Sequence, residues 1–573
     1  MKHIFPYFAA VLLLFASAAS YAQNLDPTVE VRRTYEGKLF EAHKPLLKMS
    51  VPDSLMRFDL DFDYSVFDSP YRGSYEFRPY TLAMAPVKPM QKPGRFHLRA
   101  GAGYELHPYL DLVWAPVIRD RFRMDVYAFH KSFVGRYREI GPSDTESGTL
   151  RFGDTGQKTY GYDFLTKAGT DLRYDWYRGR LDFGASYYGV AQKDWLRKRG
   201  YDALDVYFGI SSKAERPDYF KYDIRAGYRF AEDKTGMAGY GLLDEHDFRL
   251  DAVLGKVFGA SGALLFDVGA EYAAYSGAVG ASAGNVRIIP HYVIGKGRWK
   301  FDLGVRVSAI VSSGISSSFS RKGQYVYPDV EISVIAVPDA MKIYANIGGG
   351  DRMNTLASIV DKDGHADISW GRGGLLLDNS VERVSGVIGF EGRISTRFSY
   401  NLRAGYSNYA NRLFTGIAIV GDETSMKYMP MAGYSSCSTL FAALDWGWKA
   451  ESIDFNGTAV YDNTWGVSDG LLAPAAFHGS TSFTYNWKRR IFVGAECEWS
   501  TARRCSLPQP SAESVIPAKV PGYADLGVFF EYAFNRKVSL WAKGGNLLGM
   551  PVLRSPLYAE GGINFTAGIC LNL

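Results

Sequence analysis

From about Arg95 onward the chain repeats one pattern: ten or so residues alternating apolar with polar or small, a tight polar turn, a second such run, then a longer connection. Trp299, Phe301, Leu303, Val305, Val307 and Ala309 interleave with Lys300, Asp302, Gly304, Arg306 and Ser308. Leu264, Phe266, Val268, Ala270 and Tyr272 do the same against Asp267, Gly269 and Glu271, and so do Phe96, Leu98, Ala100, Ala102 and Tyr104 against Arg95, His97, Arg99, Gly101 and Gly103. Near the end, Ala524, Leu526, Val528, Phe530, Tyr532 and Phe534 oppose Asp525, Gly527 and Glu531. A period of two puts the two sets on opposite faces of a strand. One alternating run also fits a half-buried strand of a soluble sheet; the number of runs decides between them. A closed transmembrane barrel, with lipid outside and water or packed polar groups inside, accounts for both faces at once.

The connections alternate in length. Short turns fall at 118–121, 175–178, 337–340, 487–490 and 535–537, and longer polar stretches at 135–158, 352–380, 413–436 and 501–519. Barrels of the outer membrane have short periplasmic turns and long outward loops, which assigns the sides. Strand starts near residues 95, 109, 122, 161, 179, 202, 220, 245, 262, 286, 298, 325, 341, 382, 396, 438, 451, 475, 490, 522, 537 and 562 give about 22 antiparallel strands, with both chain ends in the periplasm. The expected fold is therefore all-β, a transmembrane antiparallel barrel over 95–573 preceded by a short periplasmic extension.

The chain begins with Lys2, an apolar run from Ile4 to Phe15, and Ser20-Tyr21-Ala22 before Gln23. A charged start, a short apolar core and a small-x-small site predict a signal peptide over 1–22 that is cleaved on export. The apolar core is shorter than the roughly 20 residues of a spanning helix, and no cysteine follows the cleavage site to carry a lipid. No later stretch is apolar for about 18 residues, so a helical membrane protein is excluded. In the extension, 23–94, Phe58, Leu60, Phe62 and Tyr64 alternate with Asp59, Asp61 and Asp63 and predict a strand. Prolines at 70, 79, 86, 89 and 93 predict an extended connector after it, because each removes a backbone donor.

Composition sharpens this picture. The 39 Tyr, 35 Phe and 61 Gly are an unusual load for a soluble fold and suit the aromatic belts and crowded strands of a spanning barrel. With 65 basic and 60 acidic residues interspersed, the net charge of +5 favours neither nucleic acid nor a polyanion as partner of the whole chain. Four cysteines, Cys437, Cys497, Cys505 and Cys570, match no zinc spacing; a Cys497–Cys505 bridge closing one surface loop and four unrelated thiols are both open.

Candidate chemistry is sparse. Asp361-Lys362-Asp363-Gly364 with Asp367 has the start of a calcium loop but lacks its third early ligand and terminal glutamate, and reads as a polar surface loop. Eight histidines of the exported part (His43, His97, His107, His130, His246, His291, His365 and His478) are scattered over strands and loops, with no Gly-x-Ser-x-Gly elbow and no phosphate-cradling glycine loop, so no enzyme class is recognisable. No catalytic, cofactor or metal site is assigned, and no motif names a substrate. Asp182, Asp223, Arg225, Arg229, Asp267, Glu271, Asp302 and Arg306 fall on the inward face, where charge-paired ladders are expected over a solute path. Trp370 and Trp465 suit interface anchoring or stacking on a ligand.

Three segments carry a family resemblance: Pro521-Gly522-Tyr523-Ala524-Asp525-Leu526, Val538-Ser539-Leu540-Trp541-Ala542-Lys543-Gly544-Gly545-Asn546-Leu547-Leu548, and Asn564-Phe565-Thr566-Ala567-Gly568-Ile569. They resemble the closing strands of TonB-dependent receptor barrels, where an Asn-Leu pair precedes the last loop and a glycine-rich strand ends the chain. Ser407-Asn408-Tyr409-Ala410-Asn411-Arg412, leading into a long loop, resembles barrels of Bacteroidota. The resemblance implies an outer-membrane location in a Gram-negative bacterium, contact with lipid, recognition of the last strand by the outer-membrane assembly machinery, and solute uptake, with TonB or another periplasmic or surface protein as partner. It also implies a plug of well over a hundred residues, which 23–94 is too short to supply; a reduced plug or a docking arm takes its place. Pro27-Thr28-Val29-Glu30-Val31 distantly resembles the short TonB-contacting box. The alternative is a non-transporting barrel that scaffolds partner proteins.

Overall fold

A computed structural model describes residues 94–573 except 105, 147, 197, 215–217, 238–240, 260, 278–279, 314–321, 339, 364–377, 421–426 and 509–514. The signal peptide, residues 23–93 of the extension, His43, His365 and Trp370 lie outside the described residues. The described chain forms 24 strands in one sheet, numbered here β1–β24 in chain order, and one helix, α1 (Leu356–Lys362). None of its helices is long and apolar enough to cross a membrane.

Strands β1 (Phe96–Gly103) to β19 (Ile491–Ser500) pair antiparallel with their sequence neighbours. After β19 the chain leaves the wall for a hairpin, β20 (Arg503–Pro508) and β21 (Val515–Val520), and re-enters as β22 (Tyr523–Ala533), which pairs directly with β19 through Cys497↔Leu526. The last strand, β24 (Asn564–Asn572), pairs with β1 through Ala100↔Ile569, so 22 strands close the barrel. Closure follows from the medium: an edge in lipid leaves a row of backbone donors and acceptors without partners.

The alternation maps onto the two faces. On β11 (Trp299–Ser313), Leu303, Val305 and Val307 point outward and are exposed, whereas Gly304, Ser308 and Ile310 are buried inside. Leu264, Phe266 and Tyr272, and at the end Phe565, Ile569 and Leu573, are exposed in the same way, as lipid-facing positions must be in an isolated chain. The inward charges form ladders as expected: Arg173 to Asp182 at 3.0 Å, His291 to Asp302 at 2.8 Å and Asp267 at 3.3 Å, Arg306 to Asp329 at 3.7 Å.

One expectation needs correction, and one open alternative is decided. The stretches 135–158 and 413–436 are mostly strand, because β3 (Phe122–Glu146) and β4 (Thr149–Trp176) run 25 and 28 residues and β15 (Phe398–Val420) and β16 (Lys427–Lys449) run 23 each. A tilted strand needs about 9–11 residues to span the membrane, so these hairpins continue well past it. Likewise 501–519 holds the β20–β21 hairpin. These segments escape the period-two pattern because beyond the lipid an outward face has no need to be apolar. The Cys497–Cys505 bridge does not form: all four cysteines are free.

Candidate functional site

Inside the barrel residues 354–363, which follow β13 (Met341–Met353) and precede β14 (Asn379–Arg393) in the chain, fold against the inner wall. Its neck is clamped: Asn354 donates to the Asp378 carbonyl (2.9 Å) and Ser380 Oγ (2.9 Å), and the Asp378 N–H donates to the Tyr434 hydroxyl (2.9 Å). Thr355 caps α1 by accepting from the Ser358 N–H, and the helix buries Leu356, Ala357, Ile359 and Val360. These meet Tyr201, Ala203, Leu243, Ala273 and Tyr275 on one wall and Leu413, Ala432 and Tyr434 on the other. Burial of each large aliphatic side chain contributes about 1.5–3 kcal/mol, so a seven-residue helix too short to persist alone is held by packing. Its first free backbone donor, Leu356 N–H, reaches the fully buried Glu245 carboxylate on the wall at 2.6 Å.

The calcium-loop reading of Asp361-Lys362-Asp363-Gly364 fails in this setting. Asp361 and Lys362 end α1, and Asp363 caps it and accepts from Ser555 Oγ at 2.7 Å. Gly364 and Asp367 are outside the described residues, and among the described residues no three His, Cys, Asp or Glu side chains converge as metal ligands.

A second apolar core lies among the long connections. Ile140 and Phe152 from the β3–β4 hairpin, Ile417 from β15, Leu472 from the connection between β17 (Ile453–Trp465) and β18 (Phe477–Trp487), Leu507, Ala518 and Val520 from β20–β21, and Leu553 and Leu557 from the connection between β23 (Val538–Gly545) and β24 form one buried cluster. The segment around Gly470 lies backbone to backbone against β15, Ile417 N–H donating to the Gly470 carbonyl at 2.8 Å, with Leu471 packed beside Phe414 and Ala418. A Cβ on Gly416 would stand 2.2 Å from that carbonyl oxygen, so only glycine permits the approach. The last connection is tied down by Arg554, which pairs with Glu498 (2.8 Å) on β19, Asp525 (3.0 Å) on β22 and Glu560 of its own segment.

Between α1, these connections and the wall lies a chamber of about 1050 Å³. Three of the four Lys and Arg side chains that line it are matched: Arg99 to Glu531 (2.7 Å) while lying 4.9 Å over the Trp541 ring, Lys543 to Glu496 (3.2 Å), and Arg554 as above. Lys362, at the end of α1, has an exposed side chain overall, but its ammonium is enclosed beside Arg412 and donates to the Leu413 carbonyl. Burial first, then the Arg412 charge, pull its ammonium from the usual range down to about 8. Lysine in the undocked helix keeps the higher value, so docking is strongest above about pH 10 and weakens as pH falls toward 8, below which it is constant. Conductance events that require α1 to undock should therefore become rarer between pH 8 and pH 10. Lys362→Met should remove that dependence; an unchanged pH profile in the variant would show that Lys362 does not control docking.

The pieces of a hydrolytic site stay apart. Among the described residues His130 touches Ser132 Oγ (3.2 Å) and Thr166 but no carboxylate, whereas His291 touches two carboxylates and no hydroxyl. Sequence reading missed α1, the chamber and the cap. The stretch 352–380 carried an apolar signal in Leu356, Ile359 and Val360, at helical spacing, that a search for alternation passes over.

These features define a closed, capped 22-stranded transmembrane β-barrel. No protein-family model matches the chain, and no curated protein is similar to it in sequence. Among solved structures, it is similar to the FrpB iron transporter of Neisseria meningitidis (TM-score 0.62, 8% identity, covering 84% of this chain and 82% of that one). It is also similar to the copper transporter OprC (TM-score 0.60, 10% identity, 84% and 81%) and to a mutant of the ferric enterobactin receptor PfeA of Pseudomonas aeruginosa (TM-score 0.58, 10% identity, 83% and 80%). The fold is thus shared with proteins titled as receptors and transporters.

Proposed function

We propose that this protein is an outer-membrane transporter of a Gram-negative bacterium, exported by a cleaved signal peptide, that admits a solute through a lumen gated from outside by α1 and the capping connections. The observation that carries the reading is the kind of obstruction. The lumen of so wide a barrel is blocked by a small docked helix and by connections folded over the mouth, elements that can leave, whereas a purely structural barrel has no need of a detachable closure. The residues 23–94 act from the periplasm as a reduced plug or energy-coupling arm, contacting TonB or another periplasmic protein, and the resemblance of 407–412 supports a Bacteroidota origin. The solved neighbours are titled for iron, copper and a ferric siderophore; uptake of a solute in general is proposed here, with no metal assigned.

Planar-bilayer conductance tests this. The full-length protein should be closed, and replacing 354–378 by a short glycine-serine linker should open a large pore in a chain that also lacks 23–94. Deleting 23–94 alone should raise opening frequency through the docked cap. Identical small conductance for all forms would refute the transporter and favour the interaction barrel.

A further inference from the structure

The short-turn end of the barrel gathers cations. Three turns stand side by side there: 450–452 between β16 and β17, 488–490 between β18 and β19, and 534–537 between β22 and β23. Backbone bonds fasten each to its neighbour, Asn486 N–H donating to the Ser452 carbonyl and Ala533 N–H to the Arg490 carbonyl, both at 2.7 Å. Lys449, Lys488, Arg489, Arg490, Arg536 and Lys537 are exposed along this strip, and Glu451 is the carboxylate in its turns. Lys449 lies 3.8 Å from Asp454; the other cations of the strip make no ion pair among the described residues. On the inner wall, by contrast, cations are matched across strands, as at Arg173 and Arg403.

The middle turn is built against the preference of its backbone. Arg490 N–H closes it onto the Trp487 carbonyl at 3.0 Å, and its two central residues, Lys488 and Arg489, lie in the left-handed region at φ 50° and 57°. Such a turn favours Asn-Gly, and this barrel places glycine in that region at two other short turns, Gly259 and Gly297, both at φ 62°. Strain of this kind is kept where the side chains serve a purpose. On the lipid side, Trp448, Trp487 and Phe534 stand exposed beside the three turns, each followed within two residues by a cation. Lys488 lies 5.3 Å over the Trp487 ring, and Tyr532 packs edge-on against Phe534 at 5.0 Å. Aromatic side chains of spanning barrels collect at the headgroup level, so the cations beyond them stand among phosphates.

We propose that these turns form a binding strip for anionic phospholipid of the inner, periplasm-facing leaflet, whose phosphodiester headgroups are held by Lys488, Arg489, Arg490, Arg536 and Lys537. Two interstrand spacings of roughly 4.8 Å separate one turn from the next by about 10 Å, so phosphates of neighbouring lipids are met by separate turns. The guanidinium groups offer paired donors to each phosphate, and the ammonium groups add charge. A zwitterionic headgroup brings its own amine, which competes for the phosphate. The strip therefore favours headgroups without one, such as phosphatidylglycerol. It does so whether or not a solute crosses the barrel.

The test is electron spin resonance of the full-length protein in phosphatidylcholine vesicles, comparing spin-labelled phosphatidylglycerol with spin-labelled phosphatidylcholine. One Lys or Arg near an anionic headgroup is worth about fivefold in association, so the parent should prefer phosphatidylglycerol by about that factor or more at low salt. High salt should erase most of the preference. The variant K488N/R489G/R536Q/K537Q should lose it, whereas the charge-conserving K488R/K537R should keep it. The first two changes of the neutral variant supply the residues that the turn backbone favours, so its barrel should resist urea no less than the parent's. Absence of any preference in the parent overturns the proposal. So does a neutral variant that still migrates as a heat-modifiable barrel and keeps the parent's preference. Pelleting with peptidoglycan sacculi that the neutral variant loses, without any lipid preference, overturns it in favour of a cell-wall polyanion.

Discussion

Removing residues 569–573 should abolish the heat-modifiable, protease-resistant form of this protein at the outer membrane. Those residues supply four of the seven register pairs between β24 and β1, from Ala100↔Ile569 to His97↔Asn572. They also supply the Leu573 carbonyl that accepts from Phe96 N–H at 2.9 Å and the Leu573 N–H that donates to Phe96 at 2.8 Å. Truncation leaves Gly101, Ala102 and Gly103 paired and opens the rest of the seam to lipid. Each unpaired backbone group there costs several kcal/mol, so the loss exceeds the net stability of ordinary proteins. The same residues lie on the face with exposed Ile569 and Leu573, the face by which the resemblance implies recognition by the assembly machinery. Pulse-chase assembly followed by unheated electrophoresis reads the outcome; a truncated chain that folds and inserts at the parent rate would defeat the argument. Restoring five residues of alternating character but different identity should recover the barrel, which separates the backbone seam from any single side chain.

Arginine at Val305 should cost about 2–4 kcal/mol of unfolding free energy in a bilayer, whereas arginine at Val337 should cost about 0–1 kcal/mol. Both valines are exposed on the lipid side, at 45% and 48%. Val305 is the middle of β11, flanked on its face by Leu303 and Val307, while Val337 ends β12 (Gly323–Val337) at a short turn. At the turn a long side chain can place its charge among headgroups; at mid-strand it cannot without thinning the membrane. Equilibrium urea unfolding in liposomes measures the difference. Equal costs at the two positions would show that the alternating face does not meet lipid at the depth assigned here.

The strand number, the parity, the two faces and the closure by the last strand were all legible before any coordinates. Each follows from a local rule. A strand in lipid must show apolar side chains on every second position, and this requirement repeats for each crossing, so the starts at 95, 109, 122, 179, 262 and 341 fall within two residues of those observed. The short turns are equally local, because two strands joined by a few residues have one way to pair.

Beyond the lipid the rule lapses. In β3, Arg136, Arg138 and Ser143 continue a regular ladder with Tyr160, Lys158 and Arg151 although their stretch reads as loop, because hydrogen bonding needs no apolar face. The chamber, the docking of α1 and the parallel joining of β21 to β4 depend on contacts between segments more than a hundred residues apart. Leu356 finds Glu245, Ser555 finds Asp363, and Lys519 finds Arg151, and in none of these pairs does either residue announce its partner. The membrane writes its demands into every crossing strand one residue at a time. Which connections fold inward, and what they leave facing outward, is decided only when the closed wall brings their ends together.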